Sequence, residues 1–168
     1  MMKTSGHTVT TRSMEKTMKK NTAVGMLILG SLELLGTAAY AESDPEDIIK
    51  YRQNVMKANG AHMAAAGAIL QGKVDYKKDL AYHAKTLQTI NSDIPALFPK
   101  GSDFGDTKAL DGVWAKRADF EKRAKDTRAK ADAFVKAAGG DTKAALAKFK
   151  ELSDSCKACH KDFRKEEK

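Results

Sequence analysis

Apolar side chains recur at every third or fourth position over most of the chain, which is typical of amphipathic helices and predicts four helices packed on one core. The first segment carries two adjacent rows at heptad spacing: Ile49, Met56, Met63 and Leu70, and Ile48, Val55, His62 and Ile69. The second carries Leu80, Leu87 and Ile94 beside His83, Ile90 and Leu97. The third carries Val113, Phe120, Thr127 and Phe134 beside Arg117, Ala124, Ala131 and Ala138. The fourth carries, on one side, Leu146, Phe149, Leu152, Cys156, Cys159, His160 and Phe163.

Capping and breaking residues set the expected ends of these helices. The first starts at a cap formed by Ser43 or Asp44 and ends before Gly72. The others are expected at about residues 76–93, at about 112–138, and from 141 or 142 through 163. Residues 95–111 contain two prolines and two glycines and form a long loop. The short connections favour antiparallel neighbours and no strand pattern is present, so the fold class is an all-α, up-down-up-down four-helix bundle.

Near the C-terminus, Cys156 and Cys159 are followed directly by His160 in the sequence Cys-Lys-Ala-Cys-His. On a helix, positions i, i+3 and i+4 share one face. Two thiols on that face can form thioethers with two haem vinyl groups while the imidazole reaches the iron. This spacing is typical of covalent attachment of haem c, and the chain has no cysteines outside the motif.

Three other kinds of site use similar residues. A structural zinc site usually has four Cys or His ligands, whereas the remaining histidines, His7, His62 and His83, are scattered. A thioredoxin-like redox pair belongs in a βαβ setting, which this helical pattern does not provide. A simple disulfide between the two cysteines would leave His160 unexplained. The favoured interpretation is therefore one covalent haem c with its iron.

The first 41 residues have the pattern of a secretory signal peptide. A basic segment with Lys16, Lys19 and Lys20 precedes an apolar run at residues 22–35, and a small-x-small sequence ends at Ala41. The apolar run is shorter than the roughly 20 residues that a bilayer span needs, and no other segment is apolar enough to cross a membrane. Cleavage after Ala41 would leave residues 42–168 as one mature domain of 127 residues, which we expect in the periplasm.

The numbers of basic and acidic residues indicate which kinds of molecule the mature protein could bind. Residues 1–41 hold five of the 30 Lys and Arg residues and two of the 22 Asp and Glu residues, which leaves residues 42–168 with a net charge of +5. The basic residues are interleaved with acidic ones along the helices, which indicates a solvated surface rather than nucleic-acid binding. A mildly basic face could still steer an acidic redox partner protein.

The bundle topology predicts which residues surround the motif. The C-terminal end of the fourth helix lies beside the N-terminal end of the first, so we expect the haem at that end of the bundle. The same end holds Arg52, Met56, Trp114 and the loop 95–111. Met63 lies seven residues beyond Met56, roughly 10 Å further along the helix, so Met56 is the better distal candidate. Two alternatives stay open: Met56 as iron ligand or apolar shield, and Arg52 as partner of a haem propionate or solvated surface residue.

These sequences together resemble class II c-type cytochromes, the cytochrome c′ family, across the whole mature region. The resemblance is carried by Lys50-Tyr51-Arg52-Gln53, Leu97-Phe98-Pro99, Gly105-Asp106-Thr107, Trp114, residues 155–160 and Phe163-Arg164. It implies a four-helix bundle in which Cys156 and Cys159 bind the haem covalently and His160 is the proximal iron ligand.

The same resemblance implies further roles. Arg52, Gln53 and Asp106 match positions that contact the haem in the family, and Met56 falls at the distal position. That position holds a ligating methionine in low-spin relatives and a non-ligating residue in five-coordinate members. Family members also suggest a homodimer formed through the first helix.

Two functions follow. A methionine-ligated haem would make the protein an electron carrier with a raised potential. A haem with an open, apolar distal face would instead bind a small neutral gas such as nitric oxide or carbon monoxide. The sequence slightly favours the carrier, because Met56 supplies a thioether at the right end of the first helix. An enzyme is not expected, since the pattern places no distal histidine or carboxylate for acid–base chemistry.

Overall fold

Within residues 43–166 four helices form the bundle, and a short fifth helix lies in one of the connections between them. The computed structural model describes residues 43–166, so the predicted signal peptide and its cleavage point after Ala41 lie outside the described residues. The helices are α1 (Pro45–Leu70), α2 (Leu80–Ile90), α3 (Gly112–Ala115), α4 (Arg117–Ala138) and α5 (Thr142–Phe163). Within residues 43–166, extended pairing is limited to Ala109 with Arg164. No helix in this part of the chain is both long enough and apolar enough to span a membrane.

The ends of α1 and α5 follow their capping residues. Of the two predicted caps of α1, Asp44 is the one used, because its Oδ1 accepts a hydrogen bond from the backbone N–H of Glu46 at 2.7 Å. The stop at Gly72 is confirmed: its φ of 68° lies in the left-handed region that glycine adopts at little cost. Asp141 caps α5 by accepting from the backbone N–H of Ala144 at 2.9 Å.

The second predicted helix is shorter than expected. Regular α-helix covers only Leu80–Ile90, and a 3-10 turn at Lys77–Asp79 precedes it. The side-chain amide of Asn91 donates to the carbonyl of Leu87 at 2.7 Å. Such a side-chain bond competes with the next helical turn, so the helix stops there.

The third predicted helix, residues 112–138, is interrupted. Lys116 has non-helical φ and ψ values of −116° and 47°, which separates α3 from α4. Directly after this break the guanidinium of Arg117 donates to the carbonyls of Pro95 and Phe98, both at 3.0 Å. The interruption thus lies where the chain is tied to the preceding loop, a long-range contact that helical periodicity does not report.

Neighbouring helices are antiparallel, because the contacts across each pair run in opposite residue order. Helix α1 meets α2 through Asn59 with Asn91 and through His62 with His83. Helix α2 meets α4 through Gln88 with Asp132, and the turn that follows α2 meets it through Ser92 with Arg128. Helix α4 meets α5 through Arg123 with Asp162 and Lys130 with Glu151. The predicted all-α, up-down-up-down four-helix bundle is therefore confirmed.

Two apolar clusters fill the interior. The bundle-core cluster consists of Ala66, Ile69, Leu70, Leu80, Ala84, Leu87, Ala131, Phe134, Ala138, Ala145 and Leu152. The motif-end cluster consists of Ile94, Val113, Phe120, Ala124 and Phe163, with Met56, Phe98, Ala109, Trp114 and Cys159 packed against them. Most residues of the predicted rows are buried or half-buried, but the prediction that Leu146 faces the core is wrong. Leu146 is 41% exposed, whereas its neighbour Ala145 is only 1% exposed. One position corresponds to about 100° of helix rotation, so the start of α5 turns Ala145 rather than Leu146 inward.

Candidate functional site

The motif residues lie in the last two turns of α5. The side chains of Cys156 and Cys159 are half-buried, neither is in a disulfide bond, and His160 is exposed. Cys156 packs against the bundle-core cluster and Cys159 against the motif-end cluster. The i, i+3, i+4 spacing on a continuous helix places the two sulfurs and the imidazole on one face, at the end of the bundle.

The two thiols are held in their neutral form. Burial, and next the neighbouring Cys156, raise the pKa of the Cys159 thiol to about 11, although the charge of Arg123 acts in the opposite direction. Burial also raises the pKa of Cys156, and a hydrogen bond with Ser155 partly opposes that shift. A thioredoxin-like pair requires a lowered thiol pKa, so these environments argue against that alternative.

His160 has the protonation state that a metal ligand needs. Partial desolvation of the ring lowers its pKa, and the positive charge of Arg164 lowers it further. The imidazole is therefore neutral near pH 7 and has a free lone pair. A zinc site lacks ligands here, because within residues 43–166 no three His, Cys, Asp or Glu side chains are placed to hold a metal ion.

Met56 lies at the same end of the bundle as the motif. It packs against the motif-end cluster, as Cys159 does. Met63, one heptad further along α1, packs against the bundle-core cluster instead, together with Cys156. The structure therefore places Met56 beside the cluster at the end of the bundle and Met63 one layer deeper, while ligation of iron by Met56 stays a prediction.

Arg52 is a buried cation, because only 3% of the residue is exposed. The alternative interpretation of Arg52 as a solvated surface residue is therefore wrong. Its Nη1 donates to the hydroxyl of Ser102 at 2.8 Å. Its Nη2 donates to the carbonyl of Ser102 at 2.8 Å and to the hydroxyl of Thr107 at 2.5 Å. The guanidinium carbon lies 4.8 Å from the ring centre of Phe98 and 5.6 Å from that of Trp114, within cation–π range of both.

The charge of Arg52 is not matched by a bonded carboxylate. Among residues 43–166 its bonded partners are neutral hydroxyl and carbonyl oxygens. Burial lowers the pKa of Arg52, and the carboxylate of Asp103 raises it without forming an ion pair. Arginine binds carboxylates strongly and in a two-pronged geometry, so a carboxylate supplied from outside the chain would suit this position.

The loop between α2 and α3 is fastened on both sides. The Nε2 of Gln53 on α1 donates to the carbonyl of Asp106 at 2.8 Å. On the other side, the backbone N–H of Leu110 donates to the carbonyl of Phe163 at 3.0 Å. The backbone N–H of Lys165 donates to the carbonyl of Lys108 at 2.8 Å. The structure thus joins the predicted contact residues of α1 and the loop to the end of the motif-bearing helix.

The sequence does not identify Ser102 and Thr107 as partners of Arg52, although Thr107 is among the residues that carry the family resemblance. Ser102 and Thr107 are both buried, although they belong to a glycine-containing loop where polar residues are normally solvated. The available signal was the neighbourhood of Arg52 and this loop in the predicted topology, but that topology does not specify individual hydroxyl partners. Trp114 was placed near this end as packing; it also donates its Nε1–H to the carbonyl of Pro99 at 2.9 Å.

These residues fit a covalently attached haem. Two neutral, unpaired thiols and a neutral imidazole share one helix face. The cluster that Cys159 packs against contains apolar and aromatic side chains, which suit a porphyrin. The buried guanidinium of Arg52 bonds Ser102 and Thr107 through three N–H groups and has two more for a carboxylate such as a propionate.

Comparison with known sequences agrees with this donor set. Residues 47–164 match the family described as cytochrome c′. Cytochrome c′ of Pararhodospirillum photometricum is 35% identical over 124 residues, which cover 73% of this chain and 99% of that protein. Cytochrome c-556 of Rhodopseudomonas palustris is 31% identical over 154 residues, which cover 84% of this chain and 97% of that protein.

Solved structures give the same result for the fold. Cytochrome c prime from Shewanella frigidimarina superposes with a TM-score of 0.70 at 29% identity and covers 74% of this chain and 99% of its own. The nitric oxide complex of a substituted cytochrome c prime from Alcaligenes xylosoxidans superposes with a TM-score of 0.68 at 27% identity, covering 74% and 98%. A four-helix bundle with Cys-x-x-Cys-His on its last helix defines a class II c-type haem protein. This chain belongs to the cytochrome c′ family, whose members are haem proteins and generally not enzymes.

Proposed function

We propose that Cys156 and Cys159 hold one haem c covalently and that His160 is its axial iron ligand. When haem is bound, each thiol would hold it through a thioether formed by addition of the S–H group across one vinyl group. The bound group would supply an iron centre able to take up an electron or a small gas. Family membership and the neutral imidazole of His160 support this assignment.

Arg52, Gln53 and Asp106 are the proposed haem contacts outside α5. A propionate would give Arg52 the carboxylate that its present partners do not supply. Gln53 holds the loop at Asp106 beside α1, which keeps that part of the loop at the same end of the bundle. These three roles rest on the buried charge and on the position of the loop.

Binding of a small neutral gas, nitric oxide or carbon monoxide, is the function that the site supports best. The observation that carries it is that Met56, Phe98 and Trp114 pack on the same cluster as Cys159 and so bring apolar and aromatic side chains to the motif end of the bundle. Such side chains exclude water and charged ligands, and they provide no acid or base for peroxidase-like chemistry. The nitric oxide complex of the Alcaligenes xylosoxidans relative supports the same function.

Absorption spectroscopy of the purified ferrous protein tests this proposal. A high-spin spectrum at neutral pH that changes when carbon monoxide or nitric oxide is added is the expected result. A protein without a Soret band would contradict every haem assignment. A low-spin ferrous spectrum with slow uptake of carbon monoxide would overturn gas binding and favour the second candidate.

That second candidate is an electron carrier in which Met56 ligates the iron. Its support is the position of Met56, which packs on the same cluster as Cys159, whereas Met63 does not. A thioether ligand favours ferrous iron and raises the reduction potential. The comparisons favour gas binding over this function, which the sequence alone had placed first.

We also propose that the mature protein is periplasmic and begins at Glu42, after removal of residues 1–41. The basic segment, the apolar run and the sequence ending at Ala41 support export, and attachment of haem c agrees with it. The mass of the mature holoprotein tests the cleavage point. A mass that includes residues 1–41 would overturn it.

Two protein partners fit the surface. Lys157 and Lys161 are exposed on either side of His160, which suits an acidic redox partner protein. A homodimer through α1 is supported by the exposed ring of Tyr51 beside Ile48 and Leu97. Sedimentation of the holoprotein would detect the dimer, and loss of partner binding at high salt would identify the electrostatic contact.

A further inference from the structure

A pair of histidines lies on the seam between α1 and α2. The Nδ1 atoms of His62 and His83 are 2.9 Å apart, and both side chains are half-buried. The two rings are inclined at 58° with their centres 5.2 Å apart, so they meet through their nitrogens and not by stacking. Tyr82 packs against both, with ring centres 5.8 Å from His62 and 5.4 Å from His83.

The distance between these nitrogens matches one particular coordination geometry. Two imidazole nitrogens bound about 2.0 Å from one metal ion lie about 2.8 Å apart at the right angle of a square-planar centre and about 3.3 Å apart at a tetrahedral angle. The separation of 2.9 Å between His62 and His83 is close to the first value. Square-planar nitrogen and oxygen coordination is typical of Cu²⁺, which also binds such donors most tightly among the first-row divalent ions.

The surroundings limit how many protein ligands the ion would have. No group of three His, Cys, Asp or Glu residues around one point occurs in the part of the chain that the structure describes. Asp79, at the start of α2, acts electrostatically on His83 and so adds negative charge that favours a cation. Water would complete the coordination, since His62 and His83 are only half-buried.

We propose that His62 and His83 form a two-histidine binding site for Cu²⁺, with both Nδ1 atoms as cis ligands. This site is separate from the motif: His62 lies six residues beyond Met56 on α1, about 9 Å further along the helix. The alternative is a purely structural hydrogen bond in which one neutral ring donates its N–H to the other.

Copper titration of the ferric holoprotein tests the site, after dialysis against a chelator. Calorimetry should show one Cu²⁺ bound, and electron paramagnetic resonance should show a tetragonal copper signal coupled to two imidazole nitrogens. His62→Ala and His83→Ala should each weaken binding at least as much as loss of an outer-shell partner does, about 10–100-fold. The matched control is Tyr82→Phe, which keeps the packed ring and should leave the affinity unchanged.

Several results would overturn the proposal. The wild-type protein could fail to bind copper, the copper signal could lack coupling to two nitrogens, or Zn²⁺ could bind more tightly than Cu²⁺. Unchanged affinity in a folded His83→Ala variant would equally contradict it. The electron paramagnetic resonance spectrum of copper bound to the wild-type protein tests the two-histidine ligation even where a variant does not fold. Since copper binding is read directly, its outcome does not depend on which gas or electron function the haem serves.

Discussion

Arg52 and Ser102 are 50 positions apart in the chain, yet the guanidinium donates to both the hydroxyl and the carbonyl of this serine at 2.8 Å. The contact joins α1 to the loop between α2 and α3. It also fixes where the buried positive charge lies. Because the hydroxyl of Ser102 donates in turn to the carbonyl of Pro99 at 2.9 Å, the loop and the arginine are ordered together.

Arg52→Lys should therefore lower the stability of the holoprotein. A lysine head cannot make the forked set of bonds to Ser102 and Thr107, and the loss of these charge-assisted bonds should reduce the free energy of unfolding by about 2 kcal/mol. Urea unfolding measures this change. The control is Arg128→Lys, at an exposed arginine with one bond to the Ser92 carbonyl at 3.3 Å, where the change should stay within about 0.5 kcal/mol. Equal, small effects at both positions would show that the buried network contributes little.

Replacing both Cys156 and Cys159 by alanine should leave a pigment that acidified organic solvent extracts. The two thiols are the only cysteine side chains in the sequence, so no other thioether can form. The measurement is haem retention after denaturation and extraction. Ser153→Ala on the same helix is the control and should keep its pigment. Retention of pigment by the double variant would disprove the covalent assignment.

Met56→Ala tests the side of the site opposite the motif helix. If Met56 only shields the iron, the ferrous protein should remain high-spin while carbon monoxide binds several-fold faster, as a bulky side chain has been removed. Stopped-flow mixing with carbon monoxide measures this. Met63→Ala should alter gas binding less, but lower stability by about 1 kcal/mol, because Met63 is a half-buried side chain at the edge of the bundle-core cluster. A wild-type protein that is low-spin and becomes high-spin on Met56→Ala would instead identify methionine ligation.

The ion pair of Glu151 should make the thermal stability of the protein depend on pH. A hydrogen bond from Lys148 at 2.7 Å lowers the pKa of Glu151, with further effects of the Lys148 and Lys130 charges. A lowered carboxyl pKa gives stability that is present above the ordinary value of 4.5 and is lost as the pH falls through the folded-state pKa. Glu151→Gln should therefore melt lower than wild type at about pH 7, and the difference should shrink as the pH falls below 4.5.

The effect at Glu151 should be small and salt-sensitive, because the side chain is 40% exposed. High salt should reduce the difference between Glu151→Gln and wild type at neutral pH. Asp126→Asn, at an exposed aspartate of α4 without an ion pair among residues 43–166, is the control. A difference that persists unchanged at low pH would mean that packing, and not charge, explains the substitution.

Periodicity predicted the parts of the fold that repeat. Rows such as Val113, Phe120 and Phe134 are buried because a helix in a bundle must turn one face to its neighbours. The break at Lys116 was not predicted, since it depends on where Arg117 meets a loop that is distant in sequence.

How much of the candidate site can be read from the sequence depends on whether each contact is local in the chain. The spacing of Cys156, Cys159 and His160 is local, so their common face follows from helix geometry alone. The partners of Arg52 and the pairing of His62 with His83 depend on the register between elements. A hydrophobic pattern does not specify that register to within one side chain.

One polar pair supplies a register for α1 and α2. Asn59 and Asn91 are buried and exchange two hydrogen bonds of 3.1 Å each across the apolar interface. A slide of α1 by one turn, about 5.4 Å, would keep most apolar contacts but leave both amides unpaired in the interior. The pair therefore fixes the axial position of α1 relative to α2, which the apolar contacts alone would not specify. Because Arg52 and Met56 are on the same helix as Asn59, it also sets the height at which both residues meet the end of the bundle.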